Sequence, residues 1–277
     1  MRGRNSEPEQ SEGTKSLNCP GVLKVGDHGV FFYLSPQEKH EVTFSFLQAG
    51  LQKGERAIYV ASQETRKQIR RRMKDFGLNV KALEKDDMLK VFDYNDWYMI
   101  DGEVNVSRVL MMSQRVFDEA LEIGLKGMRG VGETACFFEH NKQKELLEYE
   151  LTIGRKLAFP VTALCAYDAN HAKFVDGKFF ASLIKAHGPV VTSRFTQDIA
   201  FENFFPTIVL NVLETTFGKI GKEIILEILA ERYSLTPRMI AEDPVAFIEG
   251  LEKLIGSGSN VVKQSLLRQM HLEIGIR

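Results

Sequence analysis

Lys39, in the stretch FFYLSPQEKHEV (31–42), is the residue whose setting most invites chemistry. An apolar, strand-like run enters a short polar loop there, and an amphipathic helix leaves it. Nucleotide-binding loops of α/β proteins occupy such junctions, wrapping backbone N–H groups around a phosphate and adding a lysine. That geometry needs glycines, which allow the dihedral angles and the close approach. With Lys39 in the lysine position, the required glycines fall on Tyr33 and Glu38, and His40 stands where a magnesium-binding hydroxyl belongs. Both replacements disfavour a polyanion, the carboxylate by direct repulsion. The chain holds 22 glycines yet none between Gly29 and Gly50, so scarcity does not explain their absence. The stretch reads as a degenerate phosphate loop, with Lys39 expected as a solvated lysine in the first turn of the helix.

Other candidates are spread along the chain. His28 follows Gly26-Asp27 at the mouth of the first strand, either as a ligand contact or as a loop anchor. Arg129 and Glu133, four residues apart on one extended run, point the same way and are expected as a pocket pair or a buried ion pair. Tyr59, Trp97, Tyr98 and Tyr167 are expected to line an apolar ligand pocket at the carboxyl edge of a sheet, where open parallel sheets bind their ligands, or to pack in the core. Cys136 and Cys165 have apolar neighbours and read as packing thiols; a redox or metal role with His140 is the weaker reading. No metal site is expected. The basic run Arg66, Lys67, Arg70, Arg71, Arg72 and Lys74 falls on several faces of one helix with acidic neighbours, which describes a solvated surface.

The elements that must position these residues follow from periodicity. Short apolar runs rich in β-branched and aromatic residues recur at 29–34, 56–61, 88–93, 125–133, 161–168 and 189–194. Helical stripes lie between them at 63–76, 104–123, 139–157 and 177–187; Val109, Leu110, Val116, Phe117, Ala120 and Leu121 form the clearest stripe. Strands of this kind suit a parallel sheet buried on both faces, and the alternation predicts an α/β domain over 18–194. From 195 the periodicity is helical throughout. One stripe is Ile208, Val209, Val212, Leu213 and Phe217, the next Ile224, Ile225, Ile228 and Leu229. Asp243-Pro244 reads as an N-cap with proline at the first helical position, and GSGSN (256–260) as a turn. Residues 195–277 are expected to form an all-α output or oligomerisation domain, and residues 1–17 a disordered tail.

Bulk composition narrows the function classes. Hydrophobic content of 44% and charged content of 26% are those of a soluble globular protein, and no apolar run is long enough for a membrane helix. A net charge of −1 gives no push toward nucleic acid or anionic membranes. Residues 196–277 carry eight Lys or Arg against eleven Asp or Glu, the wrong sign for a typical DNA-binding module despite a helix-turn-helix-like stretch at 233–254. Cys19, Cys136 and Cys165 are too few and too far apart for a disulfide framework or a zinc pattern, which points to a reducing cytoplasm.

Read together, these segments resemble the MEDS domain, the sensory domain of the methanogen/methylotroph regulator DcmR. GDHGVFFYLSPQEKHEVTFSFLQAGLQKGERAIYVASQE (26–64) resembles its opening, and NDWYMIDGEVN (95–105), GLKGMRGVGET (124–134), LCAYD (164–168) and LIKAHGPVV (183–191) resemble later motifs in the same order. The family's late histidine matches His187, with the following proline displaced by one, and TACFF replaces the family's usual residues after the R..GE motif. The resemblance implies a RecA/KaiC-like core that has lost its phosphate loop, with Glu133 where such a core keeps an acidic group. It implies a non-enzymatic sensor that needs no cofactor and binds a small one-carbon or hydrocarbon-derived effector. The helical region is similar in style to output domains of archaeal signalling proteins and is expected to act through protein contact, as a homodimer. A nucleotide-binding ATPase using Lys39 and Glu133, and a DNA-binding regulator using the C-terminal helices, are the competing expectations.

Overall fold

The computed structural model describes residues 23–155, 159–172, 175–191, 196–198 and 200–274. The expected tail at 1–17, Cys19 and the proposed boundary at 194–195 lie outside the described residues. Strands β1 (His28–Tyr33), β2 (Arg56–Ala61), β3 (Leu89–Asp93), β6 (Met128–Glu133), β7 (Val161–Asp168) and β8 (Pro189–Val191) form one parallel sheet in the order β3-β2-β6-β7-β1-β8. A seventh strand, β9 (Thr196–Asp198), returns antiparallel on β8. Between β3 and β6, the short hairpin β4 (Met99–Ile100) and β5 (Glu103–Val104) turns on Asp101-Gly102. Both turn residues have positive φ, as a tight two-residue hairpin requires.

Helices cover both faces of the sheet. One face packs α1 (Pro36–Gln52), α2 (Arg66–Asp75) and α3 (Val80–Lys85). The other packs α4 (Tyr94–Trp97), α5 (Val106–Glu122), α6 (Ala135–Glu139), α7 (Gln143–Ile153), α8 (Ala169–Ala172) and α9 (Gly177–Ala186). Strand parity divides the two cores. Ala57, Tyr59 and Ala61 of β2 face α1, whereas Ile58 and Val60 face α4 and α7. At the amino-terminal edge of the sheet, Arg129 Nε donates to Glu55 Oε2 at 2.8 Å beneath α1. Gly50 leaves room for this pair, since a Cβ there would stand 2.7 Å from Glu55 Oε2 and 2.8 Å from Arg129 Nε. The expected Arg129–Glu133 pair therefore does not form. Each side chain finds a partner at its own end of β6, where another element delivers the complementary charge.

The helical region comprises α10 (Phe201–Tyr233), α11 (Met239–Glu242), α12 (Pro244–Ile255) and α13 (Ser259–Glu273), with a 3-10 turn at Gly256–Gly258. Its start signals act as read: Asp243 Oδ1 accepts from Ala246 N at 2.9 Å, and Pro244 takes the first helical position. The two α10 stripes need correction. Gly218 breaks the helix with φ +74 and ψ 172, which resets the phase of the face, so Phe217 and Ile224 are exposed. In α5 the stripe is narrower than expected, and Leu121 faces solvent.

This region shares one continuous core with the sheet through α9, whose Phe180, Leu183 and Ile184 pack with residues of α10, α12 and α13. Lys178 Nζ and Lys263 Nζ each reach Glu252, at 2.8 and 2.7 Å, and hold its carboxyl below the usual range. The depressed value gives a contribution present above the unfolded carboxylate pKa, ~4.3, and lost as pH falls through the folded value. Because all three side chains are partly solvated, Glu252→Gln is expected to cost only about 0.5–1 kcal/mol in urea unfolding at neutral pH, shrinking in high salt. Among the described residues, no helix is long and apolar enough to cross a membrane.

Candidate functional site

Two residues, Leu34 and Ser35, join β1 to α1. Ser35 caps the helix by accepting from Glu38 N at 3.2 Å, Pro36 opens the first turn, and Glu38 Oε2 accepts from Leu34 N at 2.7 Å. Glu38 thus secures the helix start in a position where a phosphate loop would need glycine.

So short a junction swings the first turn over the carboxyl edge of the sheet and corrects the reading of Lys39, which is 1% exposed rather than solvated. Its Nζ lies 2.8 Å from Glu133 Oε1 at the end of β6 and donates to Gln63 Oε1 at 3.2 Å. Glu133 also accepts from Tyr59 Oη at 2.5 Å and from the backbone N–H groups of Ser62 and Gln63 at 2.8 and 2.9 Å. Tyr33 Oη donates to Gln63 Oε1 at 2.8 Å. Burial, reinforced by Glu133, pushes both tyrosine hydroxyls upward in pKa, so they stay protonated donors. His40 sits beside Glu64, 2.5 Å from its Oε2, and stacks on Phe44. Burial lowers its pKa despite Glu64. The lysine of this junction is neutralised from within by a carboxylate whose two oxygens already accept four donors.

The opposite face holds a partly open, mainly apolar cavity of about 60 Å³ between the sheet and α4, α5 and α7. Trp97, Tyr98, Tyr149, Val161 and Cys165 contribute to its wall, with Gly130 and Gly132 on the sheet side. Arg108 Nη2 donates to Trp97 O at 2.9 Å and ties α4 to α5. Tyr98 is held between Phe137 and Tyr149, with ring centroids 5.0 and 5.7 Å away. A Cβ on Gly132 would fall 2.2 Å from Tyr98 Oη, so the glycine makes room for that hydroxyl.

Beside the cavity, His28, Glu150, Cys165 and His187 converge, all buried and with their ligand-type atoms within 4.8 Å of one another. Glu150 Oε2 lies 3.2 Å from His28 Nε2, 3.4 Å from His187 Nε2 and 3.8 Å from Cys165 Sγ. Tyr167 Oη donates to Glu150 Oε1. Burial pushes the Glu150 carboxyl up, but His187 and His28 outweigh it and hold it far below the usual carboxylate range. Burial and Glu150 push the Cys165 thiol up; burial pushes the Cys136 thiol up to about 12.

The eight candidate ligand-binding residues are therefore divided among four places. Trp97 and Tyr98 line the cavity. His28, His187 and Tyr167 belong to the buried cluster, Tyr59 and Glu133 to the Lys39 network, and Arg129 to the far edge beneath α1. Strand parity is the reason: Tyr59 and Tyr167 stand on opposite faces of the sheet. His140 bonds Tyr94 Oη at 3.1 Å rather than Cys136. The basic helix α2 meets acids, with Arg66 at Asp96, Arg70 at Glu84 and Arg72 at Glu64. Glu150 went unread, although the stripe Leu146, Tyr149, Glu150 places a carboxylate on the buried face of α7.

The chain thus combines a parallel α/β sheet, a buried lysine–carboxylate pair at its first strand–helix junction and a small, mainly apolar cavity on the other face. Residues 27–187 match the family described as MEDS, the MEthanogen/methylotroph, DcmR Sensory domain, and the chain belongs to that family. A search of curated proteins gives no match. Among solved structures, the chain is similar to the crystal structure of a KaiC-like protein from the hyperthermophilic archaeon Pyrococcus horikoshii OT3. The two are 19% identical over 65% of this chain and 79% of that one, with a TM-score of 0.45.

Proposed function

We propose that the chain is a non-enzymatic sensory protein that binds a small apolar molecule in the cavity beneath Trp97 and Tyr98 and relays its presence to the helical region. Membership of a sensory-domain family supports a regulatory role. The observation that carries the binding reading is the cavity itself, whose mainly apolar wall includes Trp97, Tyr98, Tyr149 and Phe159 and whose floor includes Gly130 and Gly132. At about 60 Å³, and with roughly 10–15 Å³ needed for each water-sized group, it takes a ligand of only a few non-hydrogen atoms. That size suits the one-carbon or small hydrocarbon-derived effectors the family resemblance implies.

The relay runs through α9. His187 caps the carboxyl end of that helix, and the helix's apolar face is packed by α12 and α13. A ligand that favours one packing of α9 shifts the population of the helical region by no more than its differential affinity. Ile220 and Ile224, exposed one turn apart on α10, supply an apolar surface for self-association or a protein partner.

Small chlorinated and methylated hydrocarbons titrated against the full chain are expected to change Trp97 fluorescence saturably, since it is the only tryptophan. Ala163→Leu, which fills the cavity from β7, is expected to weaken that response at least tenfold. No saturable response across such a series would remove the binding reading. ATP turnover abolished by Lys39→Ala would replace it with an ATPase, and salt-dependent duplex DNA binding would favour a direct transcription regulator.

A further inference from the structure

His28, Glu150, Cys165 and His187 come from β1, α7, β7 and the residue after α9, so only the folded chain brings them together. Each imidazole is fixed by its other nitrogen: His28 Nδ1 lies 2.9 Å from Gly154 O and His187 Nδ1 2.8 Å from Leu183 O. A carbonyl only accepts, so Nδ1 carries a proton in both rings, and Nε2 of each ring faces Glu150. Backbone carbonyls orient histidine ligands of metal sites in this way. Tyr167 engages Glu150 Oε1 and leaves Oε2 facing the histidines.

Protons alone serve this arrangement poorly. His187 Nε2 is buried without a hydrogen-bond partner, although it lies 3.4 Å from Glu150 Oε2. Charging both rings would set two cations with centroids 4.2 Å apart. A divalent cation resolves both problems, because it accepts both lone pairs and balances one thiolate and one carboxylate. The spacing agrees. A tetrahedron with metal–ligand bonds of about 2.0–2.3 Å has edges of roughly 3.3–3.8 Å. Four of the six edges, at 3.2, 3.2, 3.4 and 3.8 Å, lie within about 0.1 Å of that range, and the other two are no longer than 4.8 Å.

We propose that His28, Glu150, Cys165 and His187 form a buried binding site for a borderline divalent transition metal of the Zn²⁺ class. Two imidazoles, a thiolate and a carboxylate suit zinc, cobalt or ferrous iron and disfavour the hard cations magnesium and calcium. Coordination replaces the thiol proton by the metal at Sγ, and that proton leaves to solvent as the site assembles. Because Cys165 also walls the cavity, the metal would lie against the space described above, but its binding does not depend on any small ligand there.

The test uses the full chain expressed with supplemental Zn²⁺ or Co²⁺, and refolded with Co²⁺, followed by elemental analysis and absorption spectroscopy. About one metal per chain is expected, with the cobalt form showing visible d–d bands of tetrahedral Co²⁺ and a thiolate-to-metal charge-transfer band. Cys165→Ala is expected to lose the charge-transfer band and His187→Gln the stoichiometric metal, whereas Cys136→Ala retains both. Circular dichroism checks that each variant folds; should one fail, the wild-type spectrum and the Cys136→Ala control still decide. A folded wild-type chain without stoichiometric metal after growth and refolding, or a charge-transfer band lost in Cys136→Ala, would overturn the site. Cobalt held through Cys165 with no small-ligand response keeps the site and removes the sensing reading, and ligand binding without metal does the reverse.

Discussion

Glu133→Ala is expected to destabilise the protein by about 3–5 kcal/mol, whereas Lys39→Met costs only about 1–2 kcal/mol. The asymmetry follows from what each substitution leaves behind. Without the carboxylate, the Lys39 ammonium remains 1% exposed with Gln63 Oε1 at 3.2 Å and Glu64 at 3.8 Å. The N–H groups of Ser62 and Gln63 lose their acceptor as well, as does the Tyr59 hydroxyl. Without the ammonium, Glu133 keeps all three of those donors, so neither of its oxygens is left without a partner. Methionine also preserves most of the lysine's volume. Urea midpoints for the two single variants and the double variant measure the difference, and Lys39→Met/Glu133→Ala is expected to recover part of the Glu133→Ala loss. A Lys39→Met variant as unstable as Glu133→Ala would show that the lysine, rather than the carboxylate, organises this junction.

The Lys39 network also marks what could be read from the sequence and what could not. Missing glycines between Gly29 and Gly50 were visible, because a phosphate cradle imposes a backbone requirement that residue type alone reveals. The burial of Lys39 was not, because it depends on a strand ending 94 residues later. The six parallel strands and main helices were legible from apolar runs, and caps such as Asp243-Pro244 from local chemistry. The partition of Tyr59 and Tyr167 between faces needed the phase of each strand against its neighbours. Glu150 left a readable trace: a carboxylate in register with Leu146 and Tyr149 contradicts an otherwise amphipathic helix. Its partners at 28, 165 and 187 are tertiary neighbours without a spacing rule, so metal-ligand spacing along the chain does not reveal the cluster.

The second large effect concerns the cavity wall. Gly132→Ala is expected to cost about 2–3 kcal/mol, although alanine fits a strand better than glycine does. Its Cβ would fall 2.2 Å from Tyr98 Oη, and the ring cannot swing aside because Phe137 and Tyr149 confine it. The next nearest atom is Tyr98 Cζ at 3.5 Å, an ordinary contact. Tyr98→Phe, which deletes only Oη, should therefore cost little by itself and suppress most of the Gly132→Ala loss. The double-mutant cycle is expected to give a favourable coupling of about 1–2 kcal/mol. Additive losses would mean that Gly132 serves backbone geometry instead of Tyr98. The double variant has a further use, since it exchanges a hydroxyl on one wall for a methyl group on the other at nearly constant cavity volume. If the Tyr98 hydroxyl orients the proposed small ligand, this variant folds like the wild type and binds more weakly. If the cavity selects by shape alone, affinity is retained while stability is restored, and fluorescence titration of Trp97 separates the two.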